Sequence, residues 1–120
     1  IGCDTVVDVN GEVFGKPHSV EDAKRMLRAL SGATHAVHTG VCISDGKRTE
    51  SFVDSCRVTF FPLSAAEIDF YASTQEPYDK AGAYAIQGRA ALWLDRIEGD
   101  YYTIMGLPLS RTVQLLDHFL

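Results

Sequence analysis

Cysteine is scarce in this chain of 120 residues, which contains only Cys3, Cys42 and Cys56. Because the number is odd and no Cys-x-x-Cys pair occurs, neither a disulfide framework nor a zinc site is expected, and a reducing, cytoplasmic environment is indicated. The chain also lacks an apolar run long enough to span a bilayer, and no signal-peptide pattern follows Ile1. We therefore expect no membrane partner.

Positive charge is in short supply as well. The 11 Lys and Arg residues against 16 Asp and Glu residues give a formal net charge of −5. A protein that holds a nucleic-acid backbone usually carries a basic face, so a nucleic-acid polymer is not an expected partner, whereas a few lysines suffice to hold a single nucleotide. Walker-type Gly-Lys-Ser/Thr and Gly-x-Gly-x-x-Gly motifs are absent too, so P-loop and Rossmann folds have no support.

The hydrophobic patterning predicts a mixed α/β fold. Alternating residues and turn signals indicate three hairpins, with strands over 2–9 and 12–14, 34–44 and 48–61, and 90–97 and 101–105. Helices are expected after the capping residues Ser19 and Ser64 and from Pro108 onward. We predict one domain over 1–120, with a mixed, bent β-sheet of hairpins and flanking helices.

The helix that begins at Pro108 is expected to turn Val113, Leu116 and Leu120 inward, since these residues recur at helical spacing. The segment 76–88 shows no clear period and combines glycines with a proline, so we interpret it as an ordered loop. Functional residues are often found on such loops.

Two charged residues outside this loop stand out. Asp4 lies in an otherwise apolar strand, where an ionised carboxylate costs several kcal/mol unless a cation or a metal compensates it. The alternative is an exposed Asp at a strand end. Lys16 precedes Pro17 and is, on spacing alone, an ordinary exposed loop lysine.

The loop 76–88 places Glu76, Asp79, Lys80 and Gln87 among small residues that allow a ligand to approach the backbone. Such a loop could hold a metal-bound polyphosphate. It could equally be a packed Ω-like loop with surface charges.

Two histidines do not form a plausible metal site. His35 and His38 are three residues apart on an expected strand and therefore face opposite sides, which argues against zinc. Apolar neighbours make Cys42 an expected core cysteine rather than a nucleophile.

Several short motifs together resemble those of the Maf family of nucleoside triphosphate pyrophosphatases, in order and spacing, over nearly the whole chain. They are Gly2-Cys3-Asp4-Thr5-Val6-Val7, Gly15-Lys16-Pro17, Leu30-Ser31-Gly32 with His35, Thr39-Gly40-Val41, Glu76-Pro77 with Asp79-Lys80-Ala81-Gly82-Ala83-Tyr84, Ile86-Gln87-Gly88 and Gly106-Leu107-Pro108-Leu109. The resemblance implies a Maf/inosine-triphosphatase-like α/β fold with a central cleft.

The same resemblance implies a chemistry. The expected reaction cleaves a nucleoside triphosphate between its α and β phosphates, with water and a divalent metal, Mg²⁺ or Mn²⁺. Asp4 matches the proton acceptor, as base or as metal ligand. Thr5 and Gln87 match positions of substrate choice and resemble the dTTP/UTP subgroup, and Lys16, Asp79 and Lys80 match residues that line the cleft.

One departure from the family pattern carries an expectation of its own. The family's Ser-Arg-Arg motif does not occur in this sequence. We expect residues 1–120 to be N-terminally incomplete, to hydrolyse nucleotides feebly on their own and to associate. Alternatives are a non-catalytic nucleotide-binding regulator of cell division and a pyrophosphatase for another modified nucleotide, and a homodimer is a further expectation.

Overall fold

Five strands form one sheet in the computed structural model, which describes residues 1–120. The strands are β1 (Gly2–Val9), β2 (Glu12–Phe14), β3 (Thr34–Ser44), β4 (Thr49–Phe60) and β5 (Leu94–Glu98). Their order across the sheet is β2-β1-β3-β4-β5, and every neighbouring pair is antiparallel. The expectation of a mixed sheet was therefore wrong. The connection after β2 places β3 beside β1, and the connection after β4 places β5 beside β4, so that each strand is antiparallel to its neighbours.

The first two predicted hairpins are confirmed. Asn10 and Gly11 have φ of 51° and 88°, the left-handed conformation that a two-residue hairpin turn favours. In the second hairpin the Asp45 carboxylate accepts the backbone N–H groups of Lys47 and Arg48 at 2.9 and 2.8 Å. Local turn chemistry therefore sets the pairing of β1 with β2 and of β3 with β4.

Four α-helices accompany the sheet: α1 (Val20–Leu30), α2 (Ala65–Ala72), α3 (Tyr101–Met105) and α4 (Leu109–Leu116). The capping predictions are confirmed, since Ser19 accepts the N–H of Asp22, and Ser64 and Glu67 form a reciprocal capping box. Short 3₁₀ turns cover Glu76–Asp79, Ala81–Ala83, Arg89–Trp93 and Asp117–Phe119.

The third predicted hairpin is wrong. Residues 101–105 form α3 instead of a strand, and residues 89–93 form a 3₁₀ turn before the short β5. The reason lies in the two flanking residues: the Asp100 side chain accepts the N–H of Tyr102, and Gly106 ends the helix at φ 111°. These caps outweigh the β-forming tendency of the residues between them.

The inward face predicted for α4 is also wrong. Val113 is 49% and Leu120 is 99% exposed, Leu116 is half-buried, and Thr112 is the buried residue of this helix. The hydroxyl of Thr112 donates to the carbonyl of Pro108 at 2.7 Å, so a polar residue is accommodated on the inward face.

The main core lies between the sheet and the first two helices. Ala23, Met26, Leu27 and Leu30 of α1 are all buried, and they belong to one cluster of 19 buried residues with α2 and the sheet. Further along the same face of β3, α3 packs on β3 and β4. The sheet thus carries helices at both ends of this face.

Strand alternation decides which cysteine is buried. Cys42 lies between the buried Val41 and Ile43 and points to the opposite side, where it is exposed. The expectation of a core cysteine at this position is therefore wrong, and Cys56 is the buried one. None of the helices has both the length and the apolar composition needed to cross a bilayer.

Candidate functional site

A cavity of about 460 Å³ opens between β1, the loop after β2, the segment 76–88 and the end of α3. Its 18 lining residues include all six candidate site residues: Asp4, Thr5, Lys16, Asp79, Lys80 and Gln87. The remaining lining is mainly small or apolar, with Val37 and Tyr84 on the core side and Ile104 and Met105 from α3. The structure therefore brings together six candidate residues that are up to 83 positions apart in the chain, from Asp4 to Gln87.

One backbone hydrogen bond joins the two segments that carry the lysines. The N–H of Gly82 donates to the carbonyl of Gly15 at 3.0 Å, next to Lys16 in one segment and close to Lys80 in the other. Gly82 has φ of 77°, and a Cβ at this position would lie 2.8 Å from Cγ2 of Val7. This close approach of loop and strand requires glycine.

The loop 76–88 is held by hydrogen bonds to its surroundings. The hydroxyl of Tyr71 accepts the N–H of Ala85 at 3.0 Å, and the buried His35 Nε2 and the hydroxyl of Tyr84 lie 2.7 Å apart. Glu76 accepts the N–H of Arg89 at 3.2 Å and does not line the cavity. Of the two acids in this loop, Asp79 faces the cavity and Glu76 closes the loop.

The charged groups of the cavity have no partners of opposite charge. Asp4, Lys16, Asp79 and Lys80 are exposed, and none of them belongs to any of the eight ion pairs with N···O distances within 4.0 Å. The Asp4 carboxylate accepts only the N–H of its neighbour Thr5, at 3.0 Å. Two cations and two anions are therefore free to interact with a ligand.

The carboxylates suit a metal that is shared with a phosphate ligand. No group of three or more His, Cys, Asp and Glu residues could enclose a metal within the protein alone. Mg²⁺ is commonly held by one or two carboxylates, with water and substrate phosphates completing the shell. Asp4 and Asp79, both lining the cavity, supply this kind of donor set.

Behind the cavity wall lies a set of hydrogen-bonded side chains that we call the polar row: Thr5, Thr39, Thr103 and Asp54. The hydroxyls of Thr5 and Thr39 are 2.9 Å apart, and Thr39 donates to the carbonyl oxygen of Thr103 at 2.8 Å. The hydroxyl of Thr103 donates to Asp54, which also accepts an N–H of Arg111 at 2.7 Å. Thr39 and Thr103 are fully buried.

Sequence reasoning missed Thr103, Asp54 and the side-chain role of Thr39. Asp100 as an N-cap and Gly106 as a C-cap were the signals that could have identified α3 and so brought Thr103 to the sheet. No comparable signal marks Asp54, since its place depends on the register of β3 with β4.

Burial and hydrogen bonding shift the pKa of two groups near the cavity. Burial acts to raise the pKa of Asp54, but the hydrogen bonds from Thr103 and Arg111 and the charge of Arg111 outweigh it and lower this pKa. Asp54 is thus a carboxylate that only accepts hydrogen bonds. Burial lowers the pKa of His35 to about 4, so this ring is neutral at pH 7. His38 lies on the other face of β3, as predicted.

Comparison with known proteins identifies the relatives of this chain. It is 50% identical to the dTTP/UTP pyrophosphatase of Bacillus velezensis, over 99% of the chain and 63% of the relative. It is 52% identical to that of Acholeplasma laidlawii and 51% to that of Aromatoleum aromaticum, covering 97% and 99% of the chain but 61% and 58% of these relatives. The chain thus spans about three fifths of their length. Since the family model described as Maf-like protein matches residues 1–119, this chain belongs to the Maf family.

Proposed function

We propose that this chain forms the nucleotide site of a dTTP/UTP pyrophosphatase, which hydrolyses the triphosphate to the monophosphate and pyrophosphate. The observation that carries the proposal is the cavity itself: all six residues that the family resemblance implies line it, and its four charged groups have no internal partners. The relatives at about 50% identity bear the name of this activity.

The two lysines would bind the triphosphate. A nucleoside triphosphate carries about four negative charges near neutral pH. Lys16 and Lys80 supply two positive charges, which the negative charges of Asp4 and Asp79 in the cavity lining balance formally. Mg²⁺ or Mn²⁺ held by Asp4 and Asp79 would offset more of the phosphate charge and polarise the phosphoryl oxygens.

Asp4 would act on the attacking water. Hydrolysis at the α phosphorus needs a water molecule in line with the bond to the leaving pyrophosphate and an acceptor for its proton. Asp4 is an exposed carboxylate in the cavity wall with one oxygen free of hydrogen bonds. It can take the proton itself, or it can help to hold the metal, and both roles require its negative charge.

Gln87 and Thr5 would contact the base. The Gln87 amide both donates and accepts hydrogen bonds, which suits the alternating carbonyl and N–H groups of uracil and thymine. The Gln87 side chain is exposed and lines the cavity.

The products give the direct test of the proposed function. The proposed mechanism uses water, and not a protein side chain, as the nucleophile at the α phosphorus, so we expect UTP and Mg²⁺ to give UMP and pyrophosphate in one step. Anion-exchange chromatography of the reaction mixture identifies the products. The same assay is run with a panel of triphosphates that includes modified pyrimidines. UDP and phosphate as products would contradict the proposal. Nucleotide binding without turnover, in a protein of the full length of the relatives, would instead favour the non-catalytic alternative.

Replacing Gln87 tests base recognition. We expect Gln87→Ala to lower the preference for UTP over CTP, measured as the ratio of kcat/KM values, by about tenfold, since one base contact is worth 1–2 kcal/mol. Gln75→Ala is a matched control, because Gln75 is an exposed glutamine close in sequence that does not line the cavity. An unchanged ratio in Gln87→Ala would remove this residue from the base site.

A further inference from the structure

The polar row runs straight across three strands. Thr5 of β1 is paired directly with Thr39 of β3, and Thr39 is paired directly with Asp54 of β4. Residues paired in this way lie side by side on the same face of a sheet. Thr103 of α3 lies against this face and hydrogen-bonds to both Thr39 and Asp54. The row thus leads from Thr5, in the cavity lining, to Asp54 outside it.

The direction of each hydrogen bond in the row follows from counting protons. A hydroxyl group has one proton, and a carbonyl or carboxylate oxygen has none. The proton of Thr103 goes to Asp54, and the proton of Thr39 goes to the carbonyl oxygen of Thr103. Thr39 has no proton left, so in the 2.9 Å contact Thr5 is the donor and Thr39 the acceptor.

This order leaves Thr5 with only lone pairs to offer the cavity. The hydroxyl of Thr5 has donated its proton to Thr39, and its oxygen can accept a hydrogen bond but cannot give one. Gly106, a neighbouring lining residue, leaves one side of Oγ1 of Thr5 open: a Cβ at this position would lie 3.6 Å from Oγ1, in van der Waals contact, and glycine has none. A group that meets Thr5 must therefore be a hydrogen-bond donor.

We propose that Thr39, Thr103 and Asp54 are positioning residues that fix Thr5 as a hydrogen-bond acceptor, and that Thr5 thereby selects the imide N–H of uracil or thymine. This inference rests on the proposed function. Cytosine carries a lone pair at the ring nitrogen where uracil and thymine carry N–H, so two acceptors would face each other and the hydrogen bond would be lost. Without the polar row, the Thr5 hydroxyl could rotate and either donate or accept a hydrogen bond. The row fixes it as an acceptor toward the cavity.

Binding of the monophosphates tests this inference without requiring turnover. The unsubstituted protein should bind UMP at least about tenfold more tightly than CMP and than 3-methyluridine monophosphate, in which a methyl group replaces the imide proton. Titration calorimetry gives the dissociation constants. No measurable binding of UMP, or equal binding of the three ligands, would overturn the inference.

Substitution of Thr39 separates positioning from mere packing. Thr39→Val keeps the branched shape and removes the acceptor for the Thr5 proton, so the Thr5 hydroxyl becomes free to donate, and the UMP-to-CMP preference should fall by about tenfold. Thr39→Ser keeps the hydroxyl and should retain the preference. Because the readout is a ratio of two dissociation constants on one preparation, a smaller folded fraction does not change it.

The outcomes distinguish this inference from the proposed function. An unchanged ratio in Thr39→Val, or an equal loss in Thr39→Ser, would overturn the positioning role even if UTP is hydrolysed. If Thr39→Val does not fold, Thr39→Ala, which also removes the acceptor for the Thr5 proton, gives the same comparison of UMP with CMP. Pyrophosphate release from UTP is measured separately and reports on the proposed function alone.

Discussion

Asp4→Asn should lower kcat for UTP by at least about a hundredfold, the usual scale for loss of a general base. The substitution keeps the size of the side chain and one hydrogen-bonding oxygen, so the contact with the N–H of Thr5 can be retained. It removes the negative charge that both proposed roles of Asp4 need. If Asp4 is the base, the loss of an anion beside the phosphates should not weaken nucleotide binding, so KM should change much less than kcat.

The control for this variant lies on the same strand. Asp8 is also a partly exposed carboxylate of β1, but it does not line the cavity. Asp8→Asn should therefore leave kcat within about twofold of the unsubstituted protein, as surface substitutions away from a site usually do. Near-normal turnover by Asp4→Asn would remove Asp4 from the chemistry.

Steady-state kinetics at increasing Mg²⁺ or Mn²⁺ separate the two roles of Asp4. If Asp4 is chiefly a metal ligand, its loss weakens metal binding, and a higher metal concentration should restore part of kcat. If Asp4 is the base, a higher metal concentration should not restore kcat.

Acid should destabilise the fold through His35 by up to about 3 kcal/mol. His35 is 2% exposed, its Nε2 bonds to the hydroxyl of Tyr84, and its Nδ1 has no partner, so a protonated ring would be poorly accommodated. Burial lowers the pKa from 6.5 in the unfolded chain to about 4 in the folded protein. The unfolded state therefore binds the proton first, and stability falls as the pH drops from about 6.5 to about 4.

Urea unfolding curves at several pH values between about 7 and 4, followed by the fluorescence of Trp93, measure this loss. His35→Gln remains neutral over this range, so its stability should depend less on pH, although its stability at neutral pH will itself be lower. His18→Gln is the matched control, because His18 is exposed, and it should keep the full pH dependence. Equal slopes for His35→Gln and the unsubstituted protein would contradict the assignment to His35.

The elements that could be predicted from the sequence depend on contacts within a few residues. Asn10-Gly11 makes its own turn, Ser19 caps its own helix through Asp22, and Ser64 pairs with Glu67 three residues later. The wrong prediction at 101–105 also concerns short-range contacts. The aromatic and β-branched residues of this segment favour a strand, but the caps at Asp100 and Gly106 make it a helix.

The candidate site was predictable only through the resemblance to a family. Asp4 and Lys16 had ordinary surface interpretations, and the loop 76–88 had an equally good structural one. Glu76 and Asp79 illustrate the limit, because both are acids on one loop, and nothing in the sequence indicated that one would bond to the backbone of Arg89 and the other would face the cavity.

The sequence by itself determined the turns, the caps and the set of charged and polar residues that a nucleotide site requires. Only the tertiary structure decided how these residues act together. Thr5, Thr39 and Asp54 become neighbours through strand register, and Thr103 joins them because α3 packs on the sheet. The physical reason is that a hydroxyl's role as donor or acceptor depends on which partners have already taken its proton, and those partners lie 34 to 64 positions apart in the chain.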